Sequence, residues 1–360
     1  MSAPNFFDLP VVATETEAAH STAITLSVPT ELRSKFSFEP GQFVTVRAQI
    51  NGQDVRRNYS LCSTPTLLND HGHIQIGVRA VEGGAMSNWL VDGVKAGQTL
   101  SIAAPEGRFT MRRPRALHRV GFAAGSGITP ILSILTHTLE GSDKAKFTLV
   151  YGNRRMDSVM FNEALQDLKD RFPDRLTLLH ILSRQAQEVP LLEGRIDGDK
   201  VRALMQVFLP VNSMDEVFIC GPEAMIKATE ASLLAAGVKP DRVHSERFAS
   251  ATGVTPPPRR NTDNETAAGI RLSLIADGKR HELRMHPEDR ILDVALQAGL
   301  DLPYSCKGGV CCTCRAKVLT GSVTMDKNFT LEDDEIQQGF VLSCQARPTT
   351  EQVVVSFDER

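Results

Sequence analysis

The alternation of hydrophobic and polar residues changes twice along this chain. Between residues 11 and 111, apolar and polar positions alternate in short runs, of which the clearest are 22–28, 42–48 and 73–79. A period of two is typical of strands that bury one face, and turn-forming Gly and Asn residues lie between these runs. The first part of the chain is therefore predicted to be an antiparallel barrel or sandwich.

From Arg119 onward, short apolar runs alternate with helix-like segments. Residues 120–124, 147–151, 176–182 and 216–220 are strand-like, and helical patterns follow several of them. Strands that alternate with helices indicate an α/β domain with a parallel sheet.

The last part of the chain begins after a stretch that is poor in large apolar residues. Residues 249–268 contain three consecutive prolines and are predicted to be a linker with some stiffness. The runs 270–275 and 279–284 flank Asp277-Gly278, a strong hairpin signal. Residues 353–357 are predicted to form the closing strand.

Composition narrows the class of protein. A chain of 360 residues is too long for one core, and its net charge of −3 gives no reason to expect nucleic acid binding. The start lacks the pattern of a secretory signal, and the longest uncharged run, 120–139, contains glycines and a proline that favour a strand, a turn and a helix start over a membrane span. Seven cysteines, four of them in ligand-like spacing, favour a reducing compartment. We expect a soluble cytoplasmic protein that binds neither nucleic acid nor membrane.

Cysteine spacing carries the most specific chemical signal. Cys306, Cys311 and Cys314 follow a C-x4-C-x2-C pattern, and Cys344 lies downstream. This spacing is typical of plant-type [2Fe–2S] clusters, and two glycines inside the loop let its backbone wrap around the sulfurs. A zinc site or a disulfide pair is the alternative, although the second C-x2-C pair of most zinc sites is missing. Cys312 is an additional thiol that the cluster does not need.

Two stretches of the first region suggest a cofactor that carries phosphate. Arg57, Tyr59 and Ser60 could hold a phosphate, face a ring and hydrogen-bond a ring nitrogen, although an ordinary strand contains similar residues. Gly83-Gly84 lies at the start of a predicted helix over 84–91. The free N–H groups of a helix start attract phosphate. A plain glycine N-cap is the alternative there. Together the two stretches predict a cofactor with a pyrophosphate.

The second region has glycines where strands end. Residues 125–130 (Gly-Ser-Gly-Ile-Thr-Pro) connect a strand to a helix but lack the third glycine of the dinucleotide fingerprint. Residues 220–222 (Cys-Gly-Pro) end another strand at the same carboxyl edge, where ligands of open α/β sheets bind. Cys220 is therefore predicted to face a nicotinamide, with a core thiol as the alternative.

Two arginines after the third strand of the α/β region bear on whether the nucleotide is NADPH or NADH. Ser183-Arg184 follows that strand, and Arg195 lies a short loop later. An arginine in this place can pair with a 2′-phosphate, which favours NADPH over NADH. A solvated arginine is the alternative.

Taken together, these stretches resemble the ferredoxin–NADP reductase superfamily, and the cysteine loop resembles a plant-type ferredoxin fused behind it. The order of the parts is similar to that in the reductase components of multicomponent oxygenases. More narrowly, residues 124–130, 192–197 and 303–311 are similar to the reductases of phenylacetyl-CoA epoxidases. Residues 59–65 and 87–90 resemble reductases of ring-hydroxylating or steroid hydroxylases.

The resemblance implies a fold and domain boundaries. An antiparallel Greek-key flavin-binding barrel would occupy residues 1–113, and a parallel-sheet NADP-binding α/β domain residues 114–248. After the linker at 249–268, an α+β ferredoxin domain of the β-grasp type would occupy residues 269–360.

The resemblance also implies roles for individual residues. Ser60, Cys220 and Glu246 would be catalytic, with Ser60 near the flavin N5 and Glu246 beside the flavin. The cluster ligands would be Cys306, Cys311, Cys314 and Cys344. The residues implied to bind FAD or the nicotinamide nucleotide are Arg57, Tyr59, Ser60, Gly83, Gly84, Met86, Ser87, Gly125, Gly127, Thr129, Ser183, Arg184, Arg195, Gly221, Pro222 and Phe248.

The resemblance implies a reductase that passes electrons from NADPH through FAD and a [2Fe–2S] cluster to an external oxygenase. The choice of FAD over FMN rests on the resemblance, as does the expected partner, the diiron phenylacetyl-CoA epoxidase of phenylacetate degradation. A flavin is needed because hydride carries two electrons and the cluster accepts one. The alternatives are a reductase of a Rieske-type aromatic-ring or steroid hydroxylase, an electron carrier without hydride chemistry, and a structural zinc protein.

Overall fold

The computed structural model describes residues 5–248 and 269–359. The predicted linker at 249–268 lies outside the described residues. By their contacts, the described residues form two compact units, one of residues 7–55 with 59–248 and the other of 269–359 with 5–6 and 56–58. The predicted boundaries near residues 113 and 248 stay predictions.

An antiparallel barrel accounts for residues 6–103. Its strands are β1 (Phe6–Ala18), β2 (Ser21–Ser27), β3 (Phe43–Ile50), β4 (Gln53–Ser60), β5 (His73–Arg79) and β6 (Thr99–Ala103), with helices α1 (Pro65–His71) and α2 (Ala85–Gly93). The sheet order is β4-β3-β6-β1-β2-β5. A bridge between Leu61 and Ile76 joins the end of β4 to β5 and closes the sheet, which removes an open edge.

The alternation in the sequence explains the barrel core. The three clearest predicted strands coincide with β2, β3 and β5, and the predicted helix coincides with α2. Their inward residues, such as Ile24, Val44 and Ile76, are fully buried in one apolar cluster. The alternation gives no signal for α1, whose seven residues are too few to establish a helical period. It begins at Pro65 and ends at His71, and the C-cap residue Gly72 adopts the left-handed conformation.

A parallel sheet with helices on both faces follows. Its strands are β7 (His118–Ala124), β8 (Lys146–Asn153), β9 (Leu176–Leu182), β10 (Glu216–Cys220) and β11 (Val243–Glu246), and its helices are α3 (Ile128–Glu140), α4 (Asn162–Arg171), α5 (Gly198–Val207) and α6 (Glu223–Ala235). The order is β11-β10-β7-β8-β9, and all pairs are parallel. Helices α3 and α4 bury residues such as Ile131 and Leu165 on one face. Helices α5 and α6 bury Leu204 and Ile226 on the other, so the predicted α/β arrangement is confirmed.

The third region is a mixed sheet that packs on a short helix. Its strands are β12 (Ile270–Ala276), β13 (Lys279–Met285), β14 (Arg315–Thr320), β15 (Val323–Met325), β16 (Phe340–Leu342), β17 (Ala346–Pro348) and β18 (Gln352–Ser356), with helices α7 (Ile291–Gln297) and α8 (Asp333–Gln337). Five strands form the sheet β13-β12-β18-β14-β16, and β15 pairs with β17. Asp277 and Gly278 both have positive φ, as the predicted two-residue hairpin requires. Buried residues of α7, including Ile291 and Leu292, complete the core under the sheet.

One glycine fixes the approach of the barrel to the α/β sheet. A Cβ atom on Gly77 of β5 would lie 2.6 Å from Cγ2 of Thr129 and 2.7 Å from Cζ of Phe161. Both neighbours are almost fully buried, so neither can move away freely. The Glu17 carboxylate of β1 accepts a hydrogen bond from the Phe161 backbone N–H at 2.9 Å and holds the second neighbour in place.

Gly77→Ala is therefore expected to lower the free energy of unfolding by about 1–3 kcal/mol, the usual cost of overpacking a filled core. Urea unfolding followed by circular dichroism measures this change. Gly93→Ala is the matched control, because its nearest neighbour would be Trp89 at 3.6 Å, an ordinary contact. Equal stabilities for the wild type and Gly77→Ala would contradict the close-contact argument.

Candidate active site and cluster loop

The three residues predicted to be catalytic lie together at the carboxyl edge of the parallel sheet. Cys220 ends β10, Glu246 ends β11, and the two residues are opposite each other in the parallel register. Ser60, the last residue of β4 in the barrel, donates a hydrogen bond from Oγ to Glu246 Oε2 at 3.0 Å. The structure thus joins a barrel hydroxyl to a sheet carboxyl, and Cys220 lies on the neighbouring strand with its thiol fully buried in the apolar core.

Burial changes the proton affinity of two members of this group. Removal from water raises the pKa of the Glu246 carboxyl from 4.5 to about 8, although the Ser60 hydrogen bond favours the charged form. Burial also raises the pKa of the Cys220 thiol, and the nearby Glu246 carboxylate adds to the rise. At neutral pH, Cys220 is therefore a neutral thiol and most Glu246 side chains hold a proton.

The predicted glycine loop lies against the same strand end. Gly125 has a φ of +55°, and a Cβ atom on Gly127 would lie 2.1 Å from the Cys220 carbonyl oxygen. Only glycine at position 127 allows the loop to approach this strand so closely. Thr129 is buried at the start of α3, and its Oγ1 donates to the Ser126 carbonyl at 3.0 Å. The Thr129 hydroxyl therefore helps to shape the loop.

The remaining residues of the predicted nucleotide site surround this edge. Gly221 follows Cys220, and a Cβ atom there would lie 3.2 Å from the Ala124 Cβ. Pro222 is the N-cap of α6. Phe248 follows β11 by two residues and is 42% exposed, so its ring is available to contact a ligand.

The predicted phosphate loop of the barrel has a well-defined geometry. Gly83 has a φ of +71°, and Gly84 is the N-cap of α2. The buried Ser87 hydroxyl donates to the Gly84 carbonyl at 3.3 Å and accepts from the Val81 N–H at 3.2 Å. Met86 is 2% exposed and packs in the barrel core, so only its backbone is available to a cofactor.

The predicted flavin-binding strand provides two half-buried side chains. Tyr59 packs against the barrel core with part of its ring exposed. Arg57 is also half-buried, and its Nη1 donates to the Arg56 carbonyl at 2.7 Å. Both residues lie in β4, just before Ser60.

Two exposed arginines lie beyond the end of β9. Backbone hydrogen bonds of 3.0 and 2.9 Å from Ser183 and Arg184 to Asn153 and Arg154 hold the first loop. The Gly194 N–H donates to the Leu182 carbonyl at 2.9 Å, which brings the Arg195 loop to the same strand end. Arg195 lines a groove of about 400 Å³, and neither arginine forms an ion pair with another described residue.

All four cysteines of the predicted ligand set are buried in the third region. Cys306, Cys311 and Cys314 lie between α7 and β14, and Cys344 lies between β16 and β17. The Cys311 thiol donates a hydrogen bond to the Cys306 sulfur at 3.1 Å, which lowers the pKa of Cys306. Cys314 makes the equivalent contact with Cys344 and lowers the pKa of that thiol. The thiols therefore form two pairs.

Models of known protein families match all three regions of the chain. Residues 8–111 match the oxidoreductase FAD-binding domain, residues 122–231 the oxidoreductase NAD-binding domain, and residues 274–349 the 2Fe-2S iron-sulfur cluster binding domain. The chain is 42% identical over 360 residues to a component of the 1,2-phenylacetyl-CoA epoxidase of Escherichia coli strain K12, with 99% of this chain and 98% of the relative covered.

A second relative agrees. The ferredoxin reductase component of 3-ketosteroid-9-alpha-monooxygenase from Rhodococcus rhodochrous is 36% identical over 355 residues, which cover 97% of this chain and 96% of the relative. The chain belongs to the ferredoxin-reductase components of oxygenases. The fold of this reductase matches phthalate dioxygenase reductase with a TM-score of 0.61, at 22% identity and with 98% of each chain covered.

The reductase thus has FAD-binding, NAD-binding and [2Fe–2S] domains, as the sequence predicted. It is an oxidoreductase, and two of its relatives are components of oxygenases. Among the described residues, no helix has the length and apolarity that crossing a membrane requires.

The cysteine geometry of the reductase fits a binuclear cluster. Within the described residues, no group of three or more His, Cys, Asp or Glu side chains is arranged to hold a single metal ion. Two thiol pairs suit a cluster in which each of two irons takes two thiolates. The Gly308 N–H donates to the Cys306 sulfur at 3.3 Å, and Gly309 adopts a φ of +76° that turns the loop. Such N–H donors stabilise negative charge on sulfur.

Sequence reasoning missed two residues that support these sites. The Tyr151 hydroxyl donates to the Gly125 carbonyl at 2.9 Å and holds the glycine loop from β8. Gln345 is almost fully buried beside Cys344 and contacts the cysteine loop. The position of Tyr151 near the end of a strand was a usable signal, whereas nothing in the sequence indicated where the Gln345 side chain points.

Substitution of two neighbouring cysteines tests the ligand assignment. Cys311→Ser should remove the cluster, because Cys311 is buried and paired with Cys306. Cys312→Ser should keep it, because Cys312 is partly exposed and outside the two pairs. Iron and labile sulfide per chain measure both results. The reverse outcome would mean that Cys312, and not Cys311, is the ligand.

Glu246 should make the stability of the flavin-free protein depend on pH. The folded state holds a proton on this carboxyl up to a pKa of about 8, whereas the unfolded chain loses it near 4.5. The folded protein therefore binds more protons between these values, and its unfolding free energy falls as pH rises through this window. Above about pH 8 the difference is constant.

Glu246→Gln removes this titration. The unfolding free energy of the wild type minus that of the variant should therefore decrease as the pH rises from 4.5 to about 8. Urea unfolding at several pH values measures it. Ser60→Ala should extend the decline to higher pH, because it removes the hydrogen bond that favours the charged carboxylate. Parallel pH profiles for the wild type and Glu246→Gln would contradict the assignment.

Proposed function

We propose that this reductase carries electrons from NADPH to a phenylacetyl-CoA epoxidase of phenylacetate degradation. The identity of 42% over 360 residues to a component of the Escherichia coli epoxidase supports this partner most directly. We further propose domain boundaries at residues 113 and 248 and a linker at 249–268, with the barrel binding FAD and the parallel sheet binding NADPH.

The group of Ser60, Cys220 and Glu246 is the observation that carries the proposed hydride chemistry. FAD, when bound, would supply the chemistry that links a two-electron hydride donor to the one-electron [2Fe–2S] cluster. The Ser60 hydroxyl would approach the flavin N5, and its hydrogen bond to Glu246 orients it. The raised pKa of Glu246 lets this carboxyl hold a proton beside Ser60 near neutral pH. The Cys220 thiol is neutral and fully buried, so this residue would support the nicotinamide-binding edge by its packing and its backbone, without acting as a nucleophile.

Other residues bind the two organic cofactors. Arg57 and the N–H groups of the Gly83-Gly84 loop hold the FAD phosphates, with Ser87 keeping the loop in shape. Tyr59, which is partly exposed, would stack on the flavin, and the exposed Phe248 would cover it. The glycine loop at 125–127 holds the nucleotide against the end of β10.

The preference for NADPH is assigned to two arginines. Arg184 and Arg195 lie on loops at one strand end, with Ser183 between the strand and Arg184. Both arginines are exposed and without an acidic partner among the described residues, so their guanidinium groups are available to a 2′-phosphate.

A steroid hydroxylase is the second candidate partner. The 36% identity to the ferredoxin reductase component of 3-ketosteroid-9-alpha-monooxygenase, over 97% of this chain, favours it. Reconstitution with each purified oxygenase tests the choice. NADPH consumption coupled to product formation should be high with the epoxidase and low with the steroid hydroxylase. The opposite result would make the steroid hydroxylase the favoured partner.

A cytoplasmic location is part of the proposal. The seven cysteines are all free thiols, and the four of the ligand set must stay reduced to hold iron.

Anaerobic spectroscopy tests the electron path. The purified protein should show flavin and iron–sulfur absorbance, and NADPH should bleach the flavin first and the cluster afterwards. Iron–sulfur absorbance without flavin bleaching would indicate an electron carrier instead. A colourless protein that unfolds on chelation would indicate a structural zinc site.

Arg184→Glu tests the nucleotide assignment. Loss of a charge-assisted bond of about 1.5–3 kcal/mol should raise the KM for NADPH roughly 10- to 100-fold. The KM for NADH should change little, because NADH lacks the 2′-phosphate. Steady-state reduction of ferricyanide measures both values.

Arg171→Glu is the matched control, since Arg171 is an exposed arginine at the C-terminal end of α4 that pairs with Glu140. It should leave both KM values unchanged. If Arg184→Glu raised the KM values for NADPH and NADH equally, Arg184 would not be the residue that binds the 2′-phosphate.

A further inference from the structure

Gln345 occupies an unusual place for a polar side chain. It directly follows Cys344, and only 2% of its surface is exposed. A buried amide is costly unless its hydrogen-bonding groups are paired. The partners of this amide therefore show what the residue does in the fold.

The Gln345 amide connects the fourth cysteine to the loop that holds the other three. Its Nε2 donates to the Lys307 carbonyl at 2.9 Å and to the Cys344 carbonyl at 2.9 Å. Because an amide nitrogen carries two hydrogens, one of them is shared between the Cys344 carbonyl and the Cys344 sulfur, which lies 3.5 Å from Nε2. The side chain has room in this position because Gly309 lacks a Cβ atom, which would lie 3.3 Å from Gln345 Cγ.

The sulfur contact has an electrostatic consequence. When an electron enters an iron–sulfur cluster, negative charge on the ligand sulfurs increases. An N–H group aimed at such a sulfur stabilises the electron-rich form more than the electron-poor form, and the effect is strong in a buried, low-dielectric site. Hydrogen bonds to ligand sulfurs therefore raise the reduction potential.

We propose that Gln345 is a positioning residue that raises the reduction potential of the cluster by donating an N–H···S hydrogen bond to Cys344. This inference rests on the proposed ligand role of Cys344. Backbone N–H groups also point at the sulfurs, as Gly308 does at Cys306. Gln345 differs from them because a side-chain donor can be removed by substitution without altering the backbone of the loop.

The consequence for the reductase lies in the direction of electron flow. A higher cluster potential favours transfer from the flavin to the cluster and leaves less driving force for the step to the oxygenase. Gln345 thereby sets how the available free energy is divided between these two steps.

The test compares the cluster potential in three variants of the full-length holoprotein. Gln345→Leu and Gln345→Met remove the donor while keeping an apolar side chain of similar volume, and Gln345→Glu replaces it with an acceptor that carries negative charge. Dithionite titration with redox mediators, followed by the EPR signal of the reduced cluster, measures the potential separately from that of the flavin. Iron and labile sulfide per chain report cluster content.

We expect Gln345→Leu and Gln345→Met to shift the potential to more negative values at unchanged iron content, and Gln345→Glu to shift it further. The matched controls are Gln338→Leu and Gln338→Glu, at an exposed glutamine that follows α8 in the same domain. Both should keep the wild-type potential.

Three results would overturn the proposal. A wild-type potential in Gln345→Leu and Gln345→Met, with a shift in Gln345→Glu alone, would show that only added charge matters. Loss of iron from all three variants would show that Gln345 is a structural anchor of the loop. A wild-type protein that lacks the EPR signal would instead overturn the ligand assignment on which the proposal rests.

Discussion

The hydrogen bond between Ser60 and Glu246 is the interaction on which the rest of the candidate active site depends. It joins the end of a barrel strand to the end of a strand of the parallel sheet, 186 residues later in the chain. For this bond to form, the barrel and the sheet must approach closely, and glycines make that possible. Gly77 faces Thr129 and Phe161 without a side chain, and Gly127 lies against the Cys220 carbonyl. The same closeness leaves Glu246 only partly exposed to water, and the loss of hydration raises its pKa.

The cluster loop meets a different physical constraint. Four thiolates in one buried place repel each other and lose their hydration, so the surrounding protein must supply compensating positive charge and hydrogen-bond donors. In the reductase the irons would supply the charge, and N–H groups such as that of Gly308 supply the donors. The loop is turned by Gly309, and Lys307, which also has positive φ, is held by an ion pair of 3.0 Å with Asp293. Unusual backbone conformations therefore coincide with the ligand loop, where stored strain is tolerated because many contacts hold it.

The sequence predicted the architecture well where the signals are local. The period of two in the barrel strands, the alternation of strands and helices, and the Asp277-Gly278 turn each depend on neighbouring residues, and the structure agrees with them. Helix α5 was missed, although Asp197 caps it by accepting a hydrogen bond from the Lys200 N–H at 2.9 Å. Short helices with one apolar face are hard to separate from loops by periodicity alone.

By itself, the sequence determined the fold class, the order of the FAD-binding, NAD-binding and [2Fe–2S] regions, and the cysteine spacing. These follow from residue types at fixed separations along the chain, because backbone geometry converts such separations directly into faces and loops. Only the tertiary structure decided that Ser60 bonds Glu246, that Tyr151 holds the Gly125 loop, and that Gln345 reaches the cysteine loop. Each of these contacts joins residues 26 or more positions apart, and their energies depend on burial that no local pattern specifies.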